Sequence, residues 1–354
     1  MTRGPRITGW VVAPLVALGL FALPLPSTAI DRFYSRDAYP LWQNGVTRLS
    51  NLFPFAVLDV LIVAAVAAVV GRAVRLVQAV RGQGIRSAIW EGTRRLARVV
   101  GVLCTAFLLM WGLNYRRVPL EATLPRGAAP TVPDLRSVVL AANAIAARTR
   151  PQAADTPKLD DVVATLRQPL NNALGKLNRT PLATAGRPKR SLILTPFFTW
   201  AGVNGMVNPL ALETILHPDL LPFERSLALA HEWAHLAGAA DEAEATAIGW
   251  LACMDGPPAL AYSASVDLIL EAGNALPAKA WREVRPSLDA GVRADLEELS
   301  RRLARQKPQV QRAAFRVYDQ YLRANRVEDG VASYSRALSL ILSPVLRQAL
   351  DSYQ

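Results

Sequence analysis

Three apolar runs in the first third of the chain constrain its fold more than any other feature. Ile7–Ile30 is uncharged, Leu52–Gly71 is interrupted only by Asp59, and Val99–Tyr115 is again uncharged. A helix needs about 20 apolar residues to cross the hydrocarbon core of a bilayer. The pattern therefore predicts transmembrane helices at about 8–28, 52–71 and 97–115, so that residues 1–116 form a membrane anchor and 117–354 a domain beyond it. Trp111 and Tyr115 close the third run, where aromatic residues sit at a membrane interface. Asp59 is either functional or a carboxylate reaching an interhelical partner.

Arginine placement orients the spans. The segment Arg72–Arg98 holds seven arginines and one glutamate, whereas Asp31–Arg48 holds three arginines and two aspartates. By the positive-inside rule the amino terminus and the second loop are cytoplasmic, which puts everything after Tyr115 outside. Arg3, Arg6 and the Ser27-Thr28-Ala29 ending also suit a cleaved signal peptide, with the same consequence for the rest of the chain. Of the net charge of +12, much lies in the second loop, so charge gives no reason to expect a nucleic-acid partner. A hydrophobic content of 51% and a mean hydropathy of +0.19 suit a chain partnered by the lipid bilayer. Cys104 falls inside the third run, so a disulfide with Cys253, the other cysteine, is not expected.

Beyond a Pro- and Ala-rich connector the reading is mainly α. Helices are expected to begin at Thr131-Pro133 and at Thr156-Pro157, a cap residue with proline close behind it. A small β element is expected from Ser191–Thr195, which reads as a short strand, and Phe197–Asn208, which reads as a hairpin or edge strand. After Pro222 the pattern is helix after helix.

Within that region Ser226–Gly238 reads Ser-Leu-Ala-Leu-Ala-His-Glu-Trp-Ala-His-Leu-Ala-Gly. It is apolar on nearly every side, which predicts a buried helix stopped at Gly238. On it His231 and His235 lie one turn apart and point the same way, so both imidazoles reach one Zn2+. Glu232 sits beside them as general base for the zinc-bound water. Three acids compete to be the third ligand. Asp241 is a natural N-cap for the next helix and Glu244 stands where a capping box closes, which favours Glu242, with Asp241 and Glu244 as the competing choices. Tyr262, Tyr318, Tyr334 and His217 are candidates to stabilise a developing oxyanion, and the sequence does not choose among them.

The run His231-Glu-Trp-Ala-His235-Leu-Ala-Gly238, followed by Glu242-Ala-Glu244-Ala245-Thr246, resembles the signature of an uncharacterised family of multi-pass bacterial membrane proteins. The resemblance extends to Trp111-Gly-Leu-Asn-Tyr-Arg116, to Tyr318-Asp319-Gln-Tyr321-Leu322, and to Asn325 and Gly330-Val-Ala-Ser333-Tyr334. Its Glu-x-x-Ala element is similar to that of gluzincin peptidases, and this implies Glu242 as zinc ligand. Thr246 departs from the Asn or Asp found there. The resemblance implies a bacterial plasma-membrane protein with a zincin-like, gluzincin-type helical domain outside the cytoplasm.

The expected activity is zinc-dependent hydrolysis of a peptide or other amide bond, with a peptide or protein substrate. The competing expectation is a non-catalytic membrane scaffold holding a structural or degenerate zinc site.

Overall fold

The segment Leu23-Pro24-Leu25-Pro26 interrupts the first apolar run, because neither proline donates a backbone N–H and each restricts the residue before it. In the computed structural model, which describes residues 8–83, 85–125, 129–154, 158–327 and 336–353, helix α1 (Thr8–Ala22) stops there. Then α2 (Ser27–Ala29), a π-helical stretch (Ile30–Ala38) and α3 (Tyr39–Asn51) continue as one rod, bent by 110° from α1. The second run forms α4 (Val57–Gln83). The third lies in α5 (Ile85–Met110), after which the chain turns by 63° into a 3-10 segment at Gly112–Arg116. Among the described residues, Val57–Arg75 is the one helix that is long and apolar enough to cross a membrane alone, and there are three if each bent pair is one span. Both α1 and α4 pack against α5.

The remainder is mainly helical. It comprises α6 (Val132–Ala154), α7 (Leu159–Lys176), α8 (Thr195–Ala201), a hairpin of β1 (Gly205–Asn208) and β2 (Glu213–Leu216), α9 (Pro222–Leu236), α10 (Glu242–Met254), α11 (Pro258–Ala275), α12 (Ala278–Val284), α13 (Ala290–Leu303), α14 (Pro308–Ala324), α15 (Arg336–Ile341) and α16 (Pro344–Ser352). The strands are antiparallel, with Gly205 opposite Leu216 and Asn208 opposite Glu213. Local chemistry sets several boundaries. At the start of α6 the Thr131 N–H donates to Asp134 Oδ2 (2.9 Å) while the Asp134 N–H donates to Thr131 Oγ1 (3.4 Å), closing a capping box. The Thr156-Pro157 start lies outside the described residues, and α7 is described from Leu159.

Beyond its acidic first turn helix α10 is largely apolar, and every residue but Thr246 is buried, enclosed by α7, α9, α11 and α15. The core around it also draws on residues from the first third of the chain: Ile30, Tyr34 and Tyr39 from the rod, and Trp111, Leu113 and Leu120 after α5. Tyr39 Oη donates to the Leu236 carbonyl (2.8 Å) and Thr47 Oγ1 to that of Leu212 (2.8 Å), so the rod is bonded directly to the far part of the chain.

Ser191–Thr195 is a turn, not a strand. Ser191 Oγ accepts from the Leu194 N–H (2.8 Å) and donates to Asp59, whose other oxygen accepts from the Leu192 N–H (2.7 Å). This hydroxyl-anchored turn starts α8, which takes Phe197–Ala201 into helix and delays the strand to Gly205. Asp59 thereby ties the first turn of α4 to the domain, a structural role for the one acid in that apolar run.

Candidate metal centre

Two helices and the turn between them assemble the centre. The Leu221 N–H donates to Glu224 Oε2 (2.9 Å) at the start of α9, and Gly238, at φ +96°, reverses the chain at its end. A Cβ at Gly238 would meet Asn114 Oδ1 and Tyr39 Cε1, both at 3.2 Å, so the turn needs glycine for its conformation and also for the space. The reversal turns the Ala239 carbonyl back onto His235 Nδ1, at 2.6 Å. Three residues later Asp241 caps α10, its Oδ1 accepting from the Glu244 N–H (3.1 Å), and the first helical residue is Glu242.

The His231 and His235 rings meet at their Nε2 atoms, 3.1 Å apart. Glu242 Oε2 lies 3.1 Å from the first and 3.3 Å from the second. Among the described residues these three are the one group of His, Cys, Asp and Glu side chains whose donor atoms converge as a metal site requires. Zinc bonded tetrahedrally at 2.0–2.1 Å separates its ligand atoms by about 3.3–3.4 Å, close to the three edges of this triangle. The ring tautomers agree. A carbonyl only accepts, so the His235 Nδ1 carries the proton and its Nε2 lone pair faces the centre. His231 Nδ1 lies 3.2 Å from Thr246 Oγ1, a hydroxyl able to accept its proton in the same way. Two imidazole lone pairs and a carboxylate oxygen at these distances repel one another unless a proton or a metal ion sits between them. The residues present fit zinc.

Electrostatics follow from that crowding. Burial opposes a charged His235, but the Glu242 carboxylate outweighs it and raises the ring to about 9. Burial also opposes the charged form of Glu242, yet the two imidazoles hold it well below the usual carboxylate range. Glu242 Oε1 accepts from the Tyr318 hydroxyl of α14, which fixes the carboxylate from behind. The side chain of His231 is 20% exposed, against 8% for His235 and 5% for Glu242, so the centre opens along His231.

Glu232 is buried beside this triad. Its Oε2 has no hydrogen-bond partner among the described residues, and desolvation pushes its carboxyl up to about 7. Strand β1 passes directly over it, and a Cβ at Gly205 would come within 2.8 Å of Glu232 Oε1. Among the described residues β1 pairs with β2 alone, so its second edge is unpaired.

The remaining candidates part company here. Asp241 caps α10 and pairs with Arg336 (2.7 Å). The Glu244 side chain does not reach back to close a capping box. It is held by Arg117 (2.6 Å) and Arg179 (3.0 Å) in a buried ion cluster. Tyr262 donates to Asp295, the partner of Arg150. His217 Nδ1 accepts from the Asp219 N–H (3.0 Å) and its Nε2 lies 2.9 Å from Thr199 Oγ1, so it pins a loop as a neutral ring. Of the oxyanion candidates only Tyr318 is bonded to the triad, and Tyr334 lies outside the described residues. Trp111 is buried instead of interfacial. Its indole donates to the His235 carbonyl (3.3 Å) and packs edge-on to the His235 ring.

Thr246, which departs from the Asn or Asp of the resemblance, lies one turn after Glu242 on the same helix face and reaches the outer nitrogen of His231. Thr246→Val is expected to weaken zinc binding by about 10–100-fold, as loss of such supporting hydrogen bonds does. Competition against a fluorescent chelator measures this. Wild-type affinity in the variant would mean that the hydroxyl does not orient the ring.

Nothing among curated proteins or solved structures matches the chain. A family model described as protein of unknown function (DUF3810) matches residues 34–342, a span that holds the triad, Glu232, Tyr318 and most of the docked rod, and the chain belongs to that family.

Proposed function

We propose that this chain is a membrane-anchored zinc hydrolase of gluzincin type that cleaves peptide or other amide bonds. The observation that carries the reading is the convergence of His231 Nε2, His235 Nε2 and Glu242 Oε2 within 3.3 Å of one another, each nitrogen set by an acceptor at the far side of its ring. These three residues would hold the metal, and His231, the most exposed of them, would face the substrate side. Bound zinc supplies Lewis acidity, polarising water and the substrate carbonyl. Glu232 takes the proton from the attacking water and returns it to the leaving amine, a task suited to a buried carboxyl near neutrality. The unpaired edge of β1 beside Glu232 accommodates an extended peptide by strand addition, which favours peptides over smaller amides. Tyr318 positions Glu242.

The test of the centre is metal analysis of the full-length protein in detergent. Wild type is expected to carry one zinc per chain and His235→Ala almost none. A wild type free of zinc after purification without chelators would sink the reading.

The same proposal places the chain in the bacterial plasma membrane with three spans, formed by α1, α4 and α5. With the arginines of Arg72–Arg98 cytoplasmic, α4 starts outside and α5 returns there. That leaves the rod Ser27–Asn51 on the same side as the domain to which it is bonded. An alkaline phosphatase fused at Pro130 is therefore expected to be active, and activity of a cytoplasmic reporter there would overturn the orientation.

A further inference from the structure

Helix α8 and the turn before it carry a stripe of large apolar side chains left exposed among the described residues. Ile193, Phe197 and Trp200 lie three or four residues apart on one side of the segment and are all exposed, and Leu192 beside them is 72% exposed. The opposite side is buried: Phe198 packs with Ala56 and Ile215, against Leu58 and Met206. Ala56 immediately precedes α4, and Asp59 in the first turn of α4 holds Ser191 Oγ and the Leu192 N–H. The loop entering α4 adds Phe53 and Phe55, also exposed. The stripe is thus fastened to the place where the most apolar helix of the chain begins. Its edge has the character of a bilayer boundary, because Lys307 Nζ stands 3.7 Å from the centre of the Trp200 ring, an aromatic and a long cation side by side.

We infer that the α8 stripe is a lipid-contact surface, seated in the outer leaflet beside α4, and that it holds β1 and the metal centre against the membrane face. The occupant is phospholipid. Apolar side chains of such an interfacial element sink about 5–10 Å into the boundary between headgroups and acyl chains, and Lys307 reaches out to the headgroups. Met206 of β1 lies in the same cluster as Phe198, so the strand beside Glu232 is separated from the stripe by one layer of side chains. The inference rests on the reading of α4 as a membrane span but not on zinc or hydrolysis.

Site-directed spin labelling of the full-length chain tests it, in nanodiscs of mixed phosphatidylethanolamine and phosphatidylglycerol. Nitroxides are placed by Leu192→Cys and Phe197→Cys in a Cys104→Ser background, Cys253 being buried. Val66→Cys within α4 and Lys279→Cys on α12 serve as references. Expected is preferential relaxation by oxygen over a water-soluble nickel chelate at 192 and 197, as at 66, and the reverse at 279. Preference for the nickel chelate at 192 and 197 with oxygen preference at 66 would overturn the lipid contact alone, and is the result that a surface reserved for another protein gives. Preference for the nickel chelate at 66 as well would overturn the span and this inference with it.

Discussion

Glu232→Gln is expected to retain full zinc occupancy and to lose hydrolysis, with kcat lower by about 10²–10⁴-fold, the range for removal of a positioned general base. The substitution keeps the volume of a side chain packed under Gly205 and ends its ability to take a proton. Glu232 lies outside the donor triangle, so the metal should not notice the change. A buried carboxylate oxygen without a partner destabilises the fold, so the neutral amide should raise the melting temperature slightly even as it stops turnover. The measurement uses a quenched-fluorophore peptide library, with zinc content and melting temperature determined on the same samples. Wild-type turnover by the zinc-loaded variant would remove Glu232 from the mechanism. Loss of zinc together with turnover would assign it to the metal's surroundings instead.

Local patterns carried the sequence reading well where chemistry repeats within a turn or two. His231, His235 and the stop at Gly238 were legible from spacing, and the cap at Asp241 placed Glu242 at the first position of α10, where the triad needs it. Contacts made across a long stretch of chain left no such trace. Trp111 read as a membrane-interface residue because it ends an apolar run, yet its partner is the carbonyl of His235, 124 residues later. Tyr318 was one tyrosine among several, and only the fold brings it from α14 to Glu242, 76 residues away in the chain. The rod Ser27–Asn51 shows the same limit. Its charged and polar residues resembled a loop between spans, while Tyr39, Gln43 and Thr47 are buried because they bond to backbone carbonyls near residues 184, 212 and 236. In contrast, Pro24 and Pro26 were visible as helix breakers. The apolar composition around them outweighed that signal in the count of uncharged residues.

Glu244→Gln is expected to lower the melting temperature by about 10 °C, which corresponds to the roughly 3–5 kcal/mol lost when one partner of a buried ion pair is removed. Glu244 Oε1 is 2.6 Å from Arg117 and 3.0 Å from Arg179, and all three side chains are at most 7% exposed. Arg179 also approaches Asp31 of the rod, at 3.6 Å, while Arg117 follows directly on the segment that leaves α5 and donates to the Gly238 carbonyl (2.8 Å). One carboxylate thus bridges two arginines that are far apart in the chain. A glutamine of the same size leaves Arg117 buried without a counter-charge and Arg179 with only Asp31, at 3.6 Å, so the loss is in electrostatics and not in packing. Replacing all three residues by apolar side chains, Glu244→Leu with Arg117→Met and Arg179→Met, is expected to recover much of the deficit, because no charge then remains to be desolvated. Thermal denaturation of the purified full-length variants distinguishes the cases. A Glu244→Gln protein that melts within about 2 °C of wild type would mean that water already reaches the cluster and screens it. In that event the two arginines are tethered by their carbonyl partners, at Gly238 and Val118, and Glu244 is dispensable for the geometry that presents Glu242.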